Sequence, residues 1–173
     1  NVIGGGDWAK DRLIPDSIRA LSENRPVQVR NPKAIRPWQH VLEPLSGYLT
    51  LGALLWNEPE RYSGAWNFGP TLTDTLTVEE IMNMVISQWG DGSWQDLSSQ
   101  DSHHEAMTLR LSCEKAKQFL KWRPVLSINE CMEMTAAWYK KYYHKHDDMY
   151  PFCVEQIERY SEKARALGVP WAM

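Results

Sequence analysis

The 173-residue sequence is short of the features that mark several large protein classes. It has three cysteines, Cys113, Cys131 and Cys153, an odd number at wide spacing. That excludes a disulfide framework and a paired-cysteine zinc site, and it points to a reducing cytoplasm. No run approaches about 18 uninterrupted apolar residues, so neither a transmembrane helix nor a membrane partner is expected. The opening has neither the basic region nor the apolar run of a secretory leader. Its 19 Lys+Arg and 22 Asp+Glu residues are interspersed, to a formal charge of -3. No basic block offers itself to nucleic acid. H-E-x-x-H spacing, a P-loop and a G-x-S-x-G elbow are all missing, so neither a metal site nor an assembled nucleophile and base is expected. Repeats, flexible linkers and low-complexity stretches are missing too.

What is present is an ordinary globular composition, 43% hydrophobic and 24% charged, with nine tryptophans. The length suits one domain with a real core. Tryptophan, large and amphipathic, suits both cores and the walls of ligand or domain interfaces. The chain opens without a methionine in an apparently structured stretch, Asn1-Val-Ile-Gly-Gly-Gly-Asp7, as a piece of something longer would.

Val2 and Ile3 read as the end of a strand that opens into the loop Gly4 to Gly6. Ile14, Ile18 and Leu21 have helical spacing, with Pro15 in the first turn. Pro26-Val-Gln-Val-Arg30 alternates as a short strand does, and Asn31 to Lys33 form a turn. The dense apolar positions from Val41 to Trp56, among them Leu45, Leu49 and Leu55, predict a mostly buried helix. Ala65-Trp-Asn-Phe68 reads as a second short strand ending in Gly69-Pro70. Thr77-Val-Glu-Glu80 is a capping box that opens a helix burying Ile81, Val85 and Trp89. Residues 90 to 106 are polar and carry no clear period. Met107 to Leu111 alternates like a strand, and Ser112 is placed to cap a short helix through Phe119 and Leu120. Ser127 to Glu130 is a second capping box, ahead of a helix carrying Cys131, Met134 and Trp138. A final helix over about Val154 to Leu167 stops at Gly168 and Pro170. Several helices with a few short strands make one lobe of a larger α/β protein. The regular strand and crossover-helix succession of a complete doubly wound sheet is missing.

Among polar residues, Arg36 is the best anion-binding candidate. It lies between short apolar segments, and Pro37 and Trp38 stiffen the backbone behind it. A guanidinium fork matches a diphosphate, at about 1.5–3 kcal/mol for a charged hydrogen bond. The same arginine could instead pair with a carboxylate such as Glu43. Arg12 and Arg30 flank the first helix and strand, where they either line a cleft or stay solvated. Asn1 and Asn67 sit beside glycine turns, where an amide serves a phosphate or sugar oxygen, or its own loop. The contiguous glycine run does not have dinucleotide spacing and reads as a loop passing close to a ligand or another domain. His103-His104-Glu105 resembles a metal cluster only superficially, because adjacent side chains on an extended segment point apart. His144 and His146 belong to a polar helix end, and His40 has no serine or cysteine partner.

Four segments in order carry a family resemblance: Asn1 to Asp7, Ile35-Arg-Pro-Trp-Gln-His-Val-Leu-Glu43, Ala65-Trp-Asn-Phe-Gly-Pro70, and Cys113-Glu-Lys-Ala with Phe119-Leu-Lys-Trp-Arg-Pro124. Together they resemble the second half of the extended short-chain dehydrogenase/reductase family, the sugar-nucleotide dehydratases and epimerases. The wording of the first two is similar to the dehydratases that act on CDP-glucose. The resemblance implies an α/β fold of mixed helices and short strands. Residues 1–173 would be the nucleotide-sugar-binding C-terminal portion of a longer enzyme, with the NAD-binding Rossmann half largely absent. In such enzymes NAD oxidises the sugar at C4, water leaves across C5 and C6, and the hydride returns to C6.

The same resemblance implies that Asn1 and Arg36 contact the substrate diphosphate. Arg12, Leu13, Gln28 and Arg30 would lie around the cytosine and ribose, and Asn67 would approach the nucleotide. His104 stands in the neighbourhood where related enzymes carry another diphosphate-gripping arginine. No catalytic residue is assigned to the chain: Tyr139 and Tyr142 lack a lysine four positions on, where Tyr143 and His146 stand. The implied cofactor is NAD and the implied substrate CDP-glucose. The complete enzyme is expected to be a homo-oligomer with no nucleic-acid partner, and this stretch alone to be inactive. An enzyme of the same family acting on another nucleotide sugar, or a non-catalytic nucleotide-binding module, are the competing readings.

Overall fold

A computed structural model describes residues 1–71, 75–98, 106–145 and 148–173. Its architecture is mixed α/β, with six helices and six short strands among the described residues. The chain runs β1 (Val2–Ile3), α1 (Leu13–Ser22), β2 (Val27–Val29), β3 (Ile35–Arg36), β4 (Gln39–His40), α2 (Leu42–Asn57) and α3 (Pro59–Tyr62). It continues β5 (Leu76–Thr77), α4 (Val78–Trp89), β6 (Trp94–Asp96), a π-helical turn (Ala116–Leu120), α5 (Ile128–Lys145), α6 (Tyr150–Ala166) and a 3-10 turn (Pro170–Ala172).

The strands form three separate pairs. β1 lies parallel to β4, with Val2 opposite Gln39, and β2 parallel to β6, with Val27 opposite Trp94. β3 runs antiparallel to β5, with Ile35 opposite Thr77. β6 falls within the polar stretch that carried no clear period. Three residues without alternation leave no local signal, and the pairing with β2 makes the strand.

Both capping boxes form. Thr77 Oγ1 accepts from the Glu80 amide at 3.2 Å while Glu80 accepts from the Thr77 amide at 2.7 Å. Ser127 and Glu130 repeat the arrangement at the start of α5. Each ties two otherwise orphaned amides at a helix start. The main core joins α1, β2, α4 and α5 through Ile14, Ile18, Leu21, Val27, Val29, Ile81, Met82, Val85, Met132 and Tyr139. Trp89 is only half-buried against it. A second core packs Tyr62 and Phe68 on Cys113, Ala116, Leu120 and Trp122, and a third gathers Val125, Tyr160, Ala164 and Val169.

Four expectations need correction. Ala65 to Phe68 is not a strand, because its amides find no ladder among the described residues. Met107 to Leu111 contributes a single bridge, Thr108 to Ile35, and Met107 and Leu109 stay exposed. Helix α6 begins at Tyr150, earlier than its apolar period suggests, with Pro151 in its first turn where no amide donor is missed. Helix α2 is not mostly buried. Only Glu43, Pro44, Ser46 and Gly47 are enclosed, and Leu49 is 76% exposed. Counting apolar residues shows how much surface a helix could bury, not whether the chain supplies something to bury it against.

Candidate functional site

Local patterning sets the site. In α1 the buried row Ile14, Ile18 and Leu21 turns Arg12, Asp16 and Arg19 to the other side. In β2 the buried Val27 and Val29 leave Gln28 outward, and Arg30 follows at the strand end. β3 delivers Arg36, and the opening residue joins them because Asn1 accepts the Gln39 amide at 3.0 Å. These elements border a cavity of about 500 Å³.

Six residues singled out in the sequence line this one cavity: Asn1, Arg12, Leu13, Gln28, Arg30 and Arg36. They are drawn from four separate stretches of chain. Asn67 does not line it; its Nδ2 donates instead to the Ser112 carbonyl at 3.3 Å. His104 lies outside the described residues. Arg19 and Arg25 also line the cavity and were missed. For Arg19 a signal existed, because Arg12, Asp16 and Arg19 share one helical face.

Five arginines against two aspartates, Asp11 and Asp16, make the lining electropositive. Arg12 meets Asp7 at 3.1 Å, and Arg30 reaches Asp11 at 3.6 Å. Both pairs are solvent-exposed, a kind worth about 0–1 kcal/mol, so an entering anion competes with weak partners. Arg19 is tied more firmly. It pairs with Asp16 and donates to the carbonyls of Trp8 and Ala9, at 3.1 and 3.3 Å. Arg36 is the one buried arginine of the group, 8% exposed. Its Nη1 donates to the carbonyls of Ile35 and Ala106, both at 2.9 Å, which fixes the guanidinium plane. A held, desolvated guanidinium loses little freedom when it grips an oxyanion.

The Glu43 alternative for Arg36 is not what forms. Glu43 Oε1 accepts the amides of Val125 and Leu126 at 2.9 and 2.7 Å, and Oε2 accepts the Tyr160 hydroxyl at 2.9 Å. Burial raises the Glu43 pKa, and these bonds oppose it. The carboxylate thus pins α2 to the segment before α5 and to α6. His40 is buried at the same joint, where its Nδ1 accepts the Leu42 amide at 3.3 Å. Burial alone pushes its pKa down to about 4.

The glycine run comes close to another element of the same chain. A Cβ on Gly5 would stand 1.9 Å from Trp138 Cγ, so the Trp138 side chain packs directly on the backbone there. The Tyr139 hydroxyl donates to the Asp7 carbonyl at 2.7 Å, and burial lifts its pKa to about 12. Helix α5 therefore clamps the loop that carries Asp7 towards Arg12. Because Trp138 occupies the space beside these glycines, they do not fit a dinucleotide pyrophosphate, and no hydride chemistry is assigned to residues of this chain. Among the described residues no group of three or more His, Cys, Asp or Glu is placed to hold a metal. No helix among them is long and apolar enough to cross a membrane.

No family model matches the chain. Over 147 residues, 85% of its length, it is 46% identical to CDP-glucose 4,6-dehydratase of Salmonella typhimurium, of which it spans 41%. Among solved structures it superimposes on UDP-glucuronic acid 4-epimerase of Bacillus cereus, crystallised with UDP-glucuronic acid and NAD, at a TM-score of 0.67 and 18% identity. That match covers 82% of this chain and 43% of the other. It also superimposes on dTDP-glucose 4,6-dehydratase of Bacillus anthracis in complex with NAD, at a TM-score of 0.66 and 18% identity, over 84% and 43% of the two chains. The chain thus spans less than half the length of the proteins it matches, and the solved structures speak for its fold. It has the fold of the corresponding part of these sugar-nucleotide dehydratases and epimerases, and over most of its own length it is similar in sequence to a CDP-glucose 4,6-dehydratase.

Proposed function

We propose that this chain is the nucleotide-sugar-holding portion of a CDP-glucose 4,6-dehydratase. The complete enzyme would convert CDP-D-glucose to CDP-4-dehydro-6-deoxy-D-glucose and water, with NAD as an internally recycled hydride carrier held mainly by the part outside these residues. In this reading residues 1–173 supply recognition, and the catalytic residues lie elsewhere in the polypeptide.

One observation carries it: six residues from four distant stretches meet around a single arginine-rich cavity, in a chain 46% identical to a CDP-glucose 4,6-dehydratase. A volume of about 500 Å³ falls within the usual range for small-ligand pockets. Asn1 and Arg36 would hold the diphosphate. Arg36 is fixed by two carbonyls, so its grip needs little rearrangement. Gln28, an exposed amide on the rim, offers both a donor and an acceptor to a pyrimidine edge, with Arg12, Leu13 and Arg30 around the base and ribose.

Titration calorimetry on the full-length enzyme tests the assignment. Arg36→Met should weaken CDP-glucose binding by about 10- to 150-fold, the equivalent of about 1.5–3 kcal/mol for a charged hydrogen bond. Unchanged affinity would overturn it. Preferential turnover of UDP- or dTDP-glucose would keep the family and move the substrate.

A further inference from the structure

The arginines around the cavity cannot by themselves choose a nucleobase that carries an amino group. Cytosine presents its 4-amino group as a donor, where uracil and thymine present a 4-oxo acceptor. Arginine only donates, so Arg12 and Arg30 suit the oxo bases. Gln28 is indifferent, because its amide turns over to offer either an oxygen or an NH2 group. Among the described residues that line the cavity, two side chains can only accept when ionised, Asp11 and Asp16. Asp16 is committed to Arg19. Asp11 is held more loosely. Its ion pair runs from Oδ1 to Arg30 Nη2 at 3.6 Å, beyond hydrogen-bond range, and both side chains are largely exposed.

The backbone presents this carboxylate between two fixed ends. Ahead of it, three successive carbonyls are each taken by a side chain. Asp7 accepts the Tyr139 hydroxyl at 2.7 Å, and Trp8 and Ala9 accept the Arg19 guanidinium at 3.1 and 3.3 Å. Behind it α1 begins at Leu13, and the Arg12 carbonyl accepts the Asp16 amide at 3.0 Å. Between these anchors Asp11 has a φ of 61°, in the left-handed region. Asn24 and Lys121 share that conformation, but they follow helical turns, where it is usual. Asp11 instead stands ahead of a helix. Aspartate tolerates the conformation better than most side chains, and such outliers cluster where a group is presented to a ligand.

We propose that Asp11 is the residue that selects cytosine: its carboxylate accepts the 4-amino group of the base while Arg30 steadies it. The inference rests on the reading that this cavity takes the nucleotide of CDP-glucose, and it adds the group that tells this nucleotide from its UDP and dTDP counterparts. The same carboxylate repels a 4-oxo group, so one side chain both attracts the right base and rejects the wrong ones. It also answers the bias of its neighbours, since without it Arg12 and Arg30 would favour the oxo bases.

Calorimetric titration of the full-length enzyme with CDP-glucose and with UDP-glucose tests it. The wild type should favour CDP-glucose, and Asp11→Asn should cut that preference by at least about 10-fold, as expected for a lost charged hydrogen bond. Asparagine keeps the size of the side chain and tolerates a positive φ, so the loop should survive the change. Its NH2 group can turn towards a 4-oxo group, so affinity for UDP-glucose should hold or rise while that for CDP-glucose falls. Equal weakening of both ligands would mean that Asp11 only shapes the loop, and an unchanged ratio that it does not meet the base. Either result would overturn the inference and leave the substrate reading standing. A wild-type enzyme with no preference for CDP-glucose would overturn the substrate reading itself, and this inference with it.

Discussion

Helices α2 and α5 are nearly the same length, 16 and 18 residues, yet they meet opposite fates. Helix α5 buries Cys131, Met132, Met134, Ala136, Trp138 and Tyr139, and packs against α4, β4 and the glycine loop. Of its charges Glu133 is exposed, while Lys140 and Lys141 are half-buried, one donating to the Gln88 carbonyl and the other lying over the Phe152 ring. Helix α2 is the more apolar helix by sequence, yet it shows water Leu49 and Trp56 and encloses a glutamate. The difference separates hydrophobicity from burial. The first is a property of the segment, and the second needs a partner of complementary shape. In α2 the chain meets that need on one side only, where Glu43 joins two backbone amides and the Tyr160 hydroxyl.

The two tryptophans offer the sharpest test of this contrast. Trp138→Ala should destabilise the chain by about 3–5 kcal/mol, the usual cost of deleting a buried indole. It removes the surface under Gly5 and the indole donor to Cys153 Sγ, at 3.2 Å. Urea denaturation midpoints at constant slope would report it. A cost below about 1 kcal/mol would mean that α5 does not hold the glycine loop as described.

Next in size is a pH effect at the joint between the two helices. His40 titrates at about 4 in the folded chain because of burial, against an ordinary value of 6.5. The unfolded chain therefore takes up the proton first as pH falls. Stability from keeping His40 neutral is fully present above 6.5 and is lost progressively down to about 4. The loss amounts to about 3.5 kcal/mol at about 1.4 kcal/mol per pKa unit. His40→Asn keeps an acceptor for the Leu42 amide and should flatten denaturation midpoints across that window. An undiminished slope would place the acid sensitivity elsewhere.

The smallest expected effect is the most telling for α2. In the 173-residue chain Trp56→Ala should change stability by no more than about 0.5 kcal/mol, as for other surface positions without partners. A cost comparable to that at Trp138 would show that α2 is packed after all, and the contrast between the helices would collapse.

Much of this was legible from neighbouring residues alone. The boxes at Thr77–Glu80 and Ser127–Glu130 name their helix starts because cap and carboxylate sit three positions apart. The alternation of Val27, Gln28 and Val29 gives β2 its inward and outward faces in the same way. Six of the residues that line the cavity were legible one at a time, through side-chain chemistry and family resemblance. Arg19 was overlooked although its spacing from Arg12 and Asp16 announces a shared face. Asn67 lies outside that cavity, and its amide donates to the Ser112 carbonyl.

The sequence by itself determined where α4 and α5 begin, which side of α1, β2 and α5 is apolar, and that arginines recur near the first helix and strand. These follow from interactions within a turn or two of chain. Only the tertiary structure decided that β6 pairs with β2, that Trp138 lies on Gly5, that residues 65–68 join no strand among the described residues and that Leu49 and Trp56 of α2 face outward. It alone brought Asn1, Arg12, Gln28 and Arg36 around one cavity. Each of these depends on what arrives from distant chain, and a local pattern holds no record of its partner's position.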